Sequence, residues 1–253
     1  MIKYLIAIIL ILGFLYYGNT VLQISKYTIH TDKLNGVSLK VMHLSDFHDY
    51  KYNERTLSKL LNGESPDIIV ITGDLIDKRR FDLEHSLGFI DMLKGYPIYY
   101  VTGNHEAGSG QTELIVSELE KRDVTVLRNN VTKIGIENMT IQIIGLDDPT
   151  YQNEEVVTLD DDFSILLSHR LKLVTQYDAD VSFSGHAHGG QIRLFGQGMV
   201  APDQGFLPEY TKGIFKMGNT TSVMSRGLGN SIFRLRVFNR PEIVIVTIED
   251  QNN

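Results

Sequence analysis

The chain has 253 residues, 42% of them hydrophobic and 22% charged, which suits one sizeable α/β domain. Its formal net charge of −7 argues against a nucleic-acid binder, which needs a basic face, but leaves room for an anionic substrate met through bound cations. There is no cysteine, so disulfides are excluded and any metal site must draw on His, Asn and carboxylate ligands.

The N-terminus departs from this ordinary composition. Residues 4–17 read YLIAIILILGFLYY, without a charge. At about 1.5 Å per residue they span roughly 21 Å, short of a bilayer core of about 30 Å; continuing through Val21, Leu22 and Ile24 makes up the length. A buried core helix would show a polar face, and none is present. A cleaved signal peptide would end in small residues, and NTVLQISK has no such pattern. Residues 1–24 therefore read as a signal anchor, a single transmembrane helix in the cell membrane. Lys3 favours an N-terminus inside and the following domain on the extracytoplasmic side. Residues 25–37 are polar, contain Gly36 and suit a linker or first hairpin, which leaves 38–253 as the folded domain.

From there short apolar runs alternate with helical patterns. LKVMHLS (39–45), DIIVITGD (67–74) and YPIYYVTGN (96–104) read as strands. ERTLSKLLN (54–62), HSLGFIDMLKG (85–95) and TELIVSELEKR (112–122) read as helices, with Thr112 as N-cap. Strands this apolar are buried on both faces, as in a parallel sheet. The second half is richer in strand candidates: 140–146, 163–169, 180–186, 190–195, 233–238 and 242–249. A second sheet packed on the first is the expected architecture.

Five of these strands run into polar residues that a plain core would not place there. They are Ser45-Asp46-Phe47-His48, Gly73-Asp74-Leu75-Ile76-Asp77, Gly103-Asn104-His105-Glu106, Ser168-His169, and Gly185-His186-Ala187-His188-Gly189. In open α/β sheets ligands bind outside the carboxyl ends of strands. Five of the eight histidines fall in these segments; His30, His43 and His85 lie elsewhere. Asp46 and His48, one residue apart, can point the same way from an extended strand end, and His186 and His188 repeat that spacing. A pair of divalent ions needs several N and O ligands and a carboxylate shared between them. Taken singly, each feature has a plainer reading: His169 as a packed histidine, Asp46 as a helix cap, Gly189-Gly190 as a turn. Their recurrence at successive strand ends favours a metal site.

The ordered set D-x-H, G-D-x-x-D, G-N-H-E, a lone His and G-H-x-H resembles the calcineurin-like metallophosphoesterase superfamily, over about residues 38–249. The resemblance implies a four-layer α/β-β/α sandwich of two mixed sheets flanked by helices. It implies that Asp46, His48 and His188 hold a first metal ion, that Asp74 bridges, and that Asn104, His169 and His186 hold a second. The ions would be Mn, Fe, Zn or Co. A metal-bridged hydroxide would attack phosphorus. His105 would stabilise the phosphate or give a proton to the leaving oxygen, and Asp77 would hydrogen-bond His105 and hold it charged.

The stretch 188–215, with SRGLG (225–229) and RPEIVIVTI (240–248), resembles a membrane-anchored branch containing bacterial phosphodiesterases and UDP-diacylglucosamine pyrophosphatases. The expected activity is hydrolysis of a phosphodiester or pyrophosphate near a membrane, on a small-molecule or lipid-linked substrate, by a monomer. A phosphomonoesterase or protein phosphatase, or a non-catalytic metal-binding scaffold, is the alternative. Departures from the pattern are few. No Pro follows His169, and Asp49 and Tyr50, where many relatives have a small residue, could narrow the pocket mouth. Arg193, Tyr210 and Arg226 are candidate substrate contacts, Arg79-Arg80 reads as a solvated pair, and Asp147 and Asp148 as turn residues.

Overall fold

The computed structural model describes residues 1–152, 157–160, 162–230 and 235–251. Helix α1 (Ile2–Thr20) is apolar on every side and almost wholly exposed. It is long and apolar enough to cross a membrane by length and composition. It stops at Thr20, because Val21 takes an extended backbone and Gln23 begins a strand. The apolar run is therefore not helical as far as Ile24: Leu22 is buried and Ile24 packs against the first core cluster.

The stretch expected as a linker or first hairpin is neither. Strand β1 (Gln23–Thr31) pairs in parallel along its whole length with β16 (Glu242–Asp250), from Gln23↔Glu242 to Thr31↔Asp250. It is the edge of its sheet, so Ser, Lys and His can alternate with Ile24, Tyr27 and Ile29, which face the two cores. Leu34 and Val37, just beyond, are buried between the sheets.

The first sheet has the order β1-β16-β2-β3-β4-β5, with β2 (Leu39–Leu44), β3 (Ile68–Thr72), β4 (Ile98–Val101) and β5 (Val124–Val126) mutually parallel. Helices α2 (Glu54–Asn62), α3 (Leu83–Asp91) and α5 (Thr112–Glu120) bury Leu57, Leu61, Leu87, Phe89, Ile115 and Leu119 against its outer face. Asn53 and Asp82 cap α2 and α3 by accepting from the backbone of Thr56 and His85. At α5 the cap is Gln111. Thr112 is the first helical residue, and its hydroxyl donates to the Glu106 carbonyl of the short α4 (Asn104–Ser109).

The second sheet has the order β14-β15-β9-β8-β7-β6. Its strands are β6 (Asn130–Ile136), β7 (Met139–Leu146), β8 (Phe163–Ser168), β9 (Val181–Ser184), β14 (Gly213–Met217) and β15 (Thr220–Met224). The inner faces of the sheets share one core, in which Val41, Val70, Val101, Ile143, Ile165 and Phe183 are all buried. The outermost layer over the second sheet is thin, with α6 (Leu171–Val174) as its helix. The expected sandwich of two mixed sheets flanked by helices is the observed fold.

Two strand expectations differ. In 190–195 the strand is just Arg193–Leu194 (β10), paired with Gln197–Gly198 (β11) as a small hairpin beside a second one of Val200–Ala201 (β12) and Gly205–Phe206 (β13). Three positive-φ residues, Gly189, Gly190 and Gln191, turn the chain before a longer strand can start. Of 233–238, residues 233 and 234 lie outside the described residues, and Val237 makes a single bridge to Ile192.

Candidate metal centre

The carboxyl ends of β2, β3, β4, β8 and β9 meet, and the polar residues they carry come into contact. The backbone there is not extended as expected. β2 ends at Leu44, and Asp46, His48 and Asp49 have φ of 51°, 52° and 53°. Asp74, His186 and His188 likewise lie in the left-handed region. For residues other than glycine this costs about 1–2 kcal/mol each and persists where surrounding bonds over-determine it. Those bonds are present: Asp46 N–H donates to Gly73 O at 3.0 Å and His48 N–H to Asp74 O at 3.0 Å. Gly185 lies so close that a Cβ there would overlap Ser45 Oγ and reach 2.5 Å from Asp46 Oδ2.

Asp46, His48 and His188 form one donor group, and Asp74, His169 and His186 a second. His48 Nε2 and His188 Nε2 are 3.2 Å apart, and His169 Nε2 and His186 Nδ1 are 3.0 Å apart. Ring nitrogens each about 2.1 Å from one ion would be separated by roughly 3.0–3.4 Å, so both pairs fit a shared cation. Asp74 faces both groups, with Oδ2 3.6 Å from His48 Nε2 and 3.3 Å from His169 Nε2. Asn104 Oδ1 is 3.1 Å from His169 Nε2. His169 Nδ1 sits 2.8 Å from the Thr72 carbonyl, which must accept its proton and leaves Nε2 as the nitrogen that faces the site.

Electrostatics agree with this donor set. Burial works against ionisation of Asp74, yet His169, His48 and His105 outweigh it and hold the carboxyl well below its usual range. Burial also disfavours charge on His169, but Asp74 and Asp46 raise it to about 10. Burial pushes His188 down to about 3, which keeps it a neutral ligand. These two buried acids call for positive charge close by.

His105 and Asp77 differ from expectation. Asp77 Oδ1 is 3.4 Å from His105 Nδ1, while its carboxylate takes two bonds from the Arg80 guanidinium and one from the Arg79 backbone. His105 Nδ1 accepts from Lys78 N–H at 3.2 Å. Burial pushes His105 down to about 4, so it is not held charged at neutral pH.

The profile of the family described as "Calcineurin-like phosphoesterase" matches residues 39–190. The chain belongs to that family. This phosphoesterase is 33% identical over 232 residues to the uncharacterized metallophosphoesterase YkuE of Bacillus subtilis, covering 84% of this chain and 80% of the relative. It is 30% identical over 253 residues to a metallophosphoesterase of Aquifex aeolicus, covering 92% and 94%. It is 26% identical over 239 residues to the phosphodiesterase YaeI of Escherichia coli, covering 85% and 84%. The chain is thus a metal-dependent phosphoester hydrolase.

Several residues position the phosphoesterase site without having been read as part of it. Glu106 is fully buried, and its carboxylate accepts from the backbone of Gly103 at 2.7 Å, Asp74 at 2.8 Å and Ile76 at 3.2 Å. It ties the β3 and β4 ends together and thereby sets Asp74. Glu106→Ala is expected to leave three buried donors without an acceptor and to cost at least about 3 kcal/mol in chemical denaturation, with Glu106→Gln milder. An unchanged unfolding midpoint in the Ala variant would remove this role. Asp203, in the loop after β12, places Oδ2 3.4 Å from His186 Nε2, and His186 and Arg170 hold its carboxyl below the usual range. That contact turns His186 Nδ1 toward the site. Asn239 Nδ2 donates to the His188 carbonyl at 2.7 Å. Leu228 and Gly229 N–H donate to the Ser45 and Asp46 carbonyls at 2.9 and 2.6 Å, so the SRGLG segment backs the first donor group.

The other candidates are structural. Arg193 bonds the Gly189 carbonyl and Thr211, Arg226 pairs with Glu242 at 3.0 Å, and Tyr210 packs on Phe215. Asp147 and Asp148 pair with Arg128 and Arg170. Asp49 holds the Asp77 backbone and Ser86, and Tyr50 donates to the Asn19 carbonyl of α1, so neither narrows the mouth. A cavity of about 490 Å³ opens over the site. Lys78, Arg79, Asn104 and His105 line it together with the apolar Ile192, Met199 and Val200.

Proposed function

We propose that this phosphoesterase is a membrane-anchored hydrolase of phosphodiesters or pyrophosphates that works with two divalent ions. The observation that carries the reading is Asp74 between two complete donor groups. Asp46, His48 and His188 would hold one ion, Asn104, His169 and His186 the other, with Asp74 shared. Imidazole, carboxylate and carboxamide donors suit Mn, Fe, Zn or Co. Bound ions would neutralise the phosphate and make water a better nucleophile.

The chain's own residues do the rest. Lys78 and Arg79 at the rim attract the anion. Neutral His105, whose Nδ1 accepts from Lys78 N–H, carries its proton on Nε2 and donates a hydrogen bond to a phosphoryl oxygen. Asp77 fixes the Lys78–Arg80 turn and so positions His105. The apolar residues in the cavity lining favour an ester with an apolar or lipid-linked group over a bare monoester.

The end of α1 supports a retained anchor over a cleaved leader. Asn19 makes two bonds to the Arg236 backbone, and the Arg240 guanidinium donates to the Val21 and Leu22 carbonyls. A segment destined for removal has no need of such partners. Lys3 supports an extracytoplasmic domain.

Full-length protein in detergent, loaded with Mn²⁺, is expected to hydrolyse an aryl phosphodiester, to stop on chelation and to recover with added Mn²⁺. A metal-loaded preparation that leaves a panel of monoesters, diesters and lipid pyrophosphates intact overturns the reading.

A further inference from the structure

The domain does not hang below α1 but touches it well inside the apolar helix. The ring of Phe238 packs on that of Phe14 at 5.0 Å, and the Arg240 guanidinium lies over Tyr17 at 4.8 Å. Phe14 precedes the end of α1 by six residues, or about 9 Å. Nineteen residues give about 28 Å, barely the thickness of a hydrocarbon core of about 30 Å. A helix with no length to spare cannot rise to bring Phe14 out of the lipid. Phe238, itself 65% exposed, must then sit at lipid depth with it.

From Phe238 a chain of contacts leads to the hairpins beside the metal cavity. Arg193 N–H donates to the Val237 carbonyl at 2.9 Å, Ile192 bridges Val237, and Gln191 Nε2 donates to the Leu235 carbonyl at 2.9 Å. These bonds fix the β10–β11 hairpin beside the Phe238 loop. The β12–β13 hairpin follows, and its Val200 also lines the cavity. Both hairpins point large apolar side chains outward: Leu194, Phe195, Val200, Phe206 and Leu207 are exposed. The Phe195-Gly196 turn is the sharpest case. Both residues have positive φ, 51° and 85°, a turn that ordinarily takes Asn-Gly. A Phe held there with its ring fully in solvent is costly in water and not in lipid.

We propose that the two hairpins at 193–207 and Phe238 form a second bilayer-contacting surface, continuous with α1, which lays the mouth of the metal cavity against the lipid surface. This rests on reading α1 as a membrane span. The partner is the acyl region of a bilayer.

The chain has no Trp, so a single introduced Trp reports its own depth. Full-length Phe195→Trp and Phe206→Trp proteins in liposomes are expected to emit to the blue and to lose intensity to bilayers brominated near the headgroup. Ile8→Trp, inside α1, should be quenched by deeply brominated lipid, and Leu114→Trp, exposed on α5, should not be quenched at all. Quenching of Ile8→Trp with no effect at positions 195 and 206 overturns the second surface and leaves the anchor standing. An unquenched Ile8→Trp overturns both.

Discussion

Asp74→Asn is expected to lower phosphodiester turnover by at least about 10³-fold and to reduce bound metal from two ions per chain to one or none. Removing one electrostatic stabiliser of a developing charge costs about 10²–10³-fold, and here a shared ligand goes as well. Asn has the size the site requires. Gly103 leaves no space around this residue, since a Cβ there would be 2.6 Å from Asp74 N. One carboxamide oxygen can still accept the His105 backbone N–H, now held at 2.8 Å by Asp74 Oδ1. The charge is lost while the fold is kept. In metal-free protein the unfolding midpoint should fall, because the Asp74 carboxylate is held ionised by His169 and holds His169 charged in turn. His186→Ala, which touches one donor group, should lose a single ion. Elemental analysis of both variants decides the matter. Two ions and near-normal turnover in Asp74→Asn would mean that Asp74 does not bridge.

The candidate ligands were legible because they interrupt strands that are otherwise buried and apolar. His169 follows Phe163–Ser168, every residue of which is buried, and a His closing such a run has no packing reason to be there. What supports these candidates was not legible. Asp203 reaches His186 from a loop without periodicity, and Asn239 reaches His188 across 51 positions. Glu106 stood in plain view within GNHE, but its three backbone partners belong to two strand ends, which residue types do not disclose. The left-handed φ of Asp46 and His48 is invisible for the same reason: Asp and His in αL look like Asp and His in a strand until the Gly73 and Asp74 carbonyls are placed. β1 was hidden by its own position. An edge strand facing solvent can carry the Ser, Lys and His of a linker, and only its ladder to β16 separates the two. The consequence is practical, since a cut at residue 30 would remove most of a strand that closes the first sheet. The core clusters, by contrast, follow directly from the runs of Ile, Val and Leu.

His105→Ala is expected to keep both ions and to lose about 10²–10³-fold in kcat, the scale of a single hydrogen-bond donor to a developing oxyanion. Two other roles compete, and each leaves a separate trace. His105 shares a possible ligand group with His48 and Asp74, so a metal-binding role would show as fewer ions per chain. A general acid would show in the leaving group: a nitrophenolate departs unprotonated and an alkoxide does not, so the loss would be confined to alkyl esters. The geometry favours neither. Burial pushes the ring to about 4, the Asp77 carboxylate is occupied by Arg80, and Nδ1 accepts from Lys78 rather than donating. A neutral imidazole with its proton on Nε2 is a poor acid and a good hydrogen-bond donor. The loss should therefore be the same for aryl and alkyl diesters, with KM little changed. The substitution should not disturb the fold, because the His105 backbone N–H that holds Asp74 survives it. A loss several-fold larger for alkyl than for aryl substrates would return the general-acid role to His105. It would also require Asp77 to release Arg80 when substrate binds.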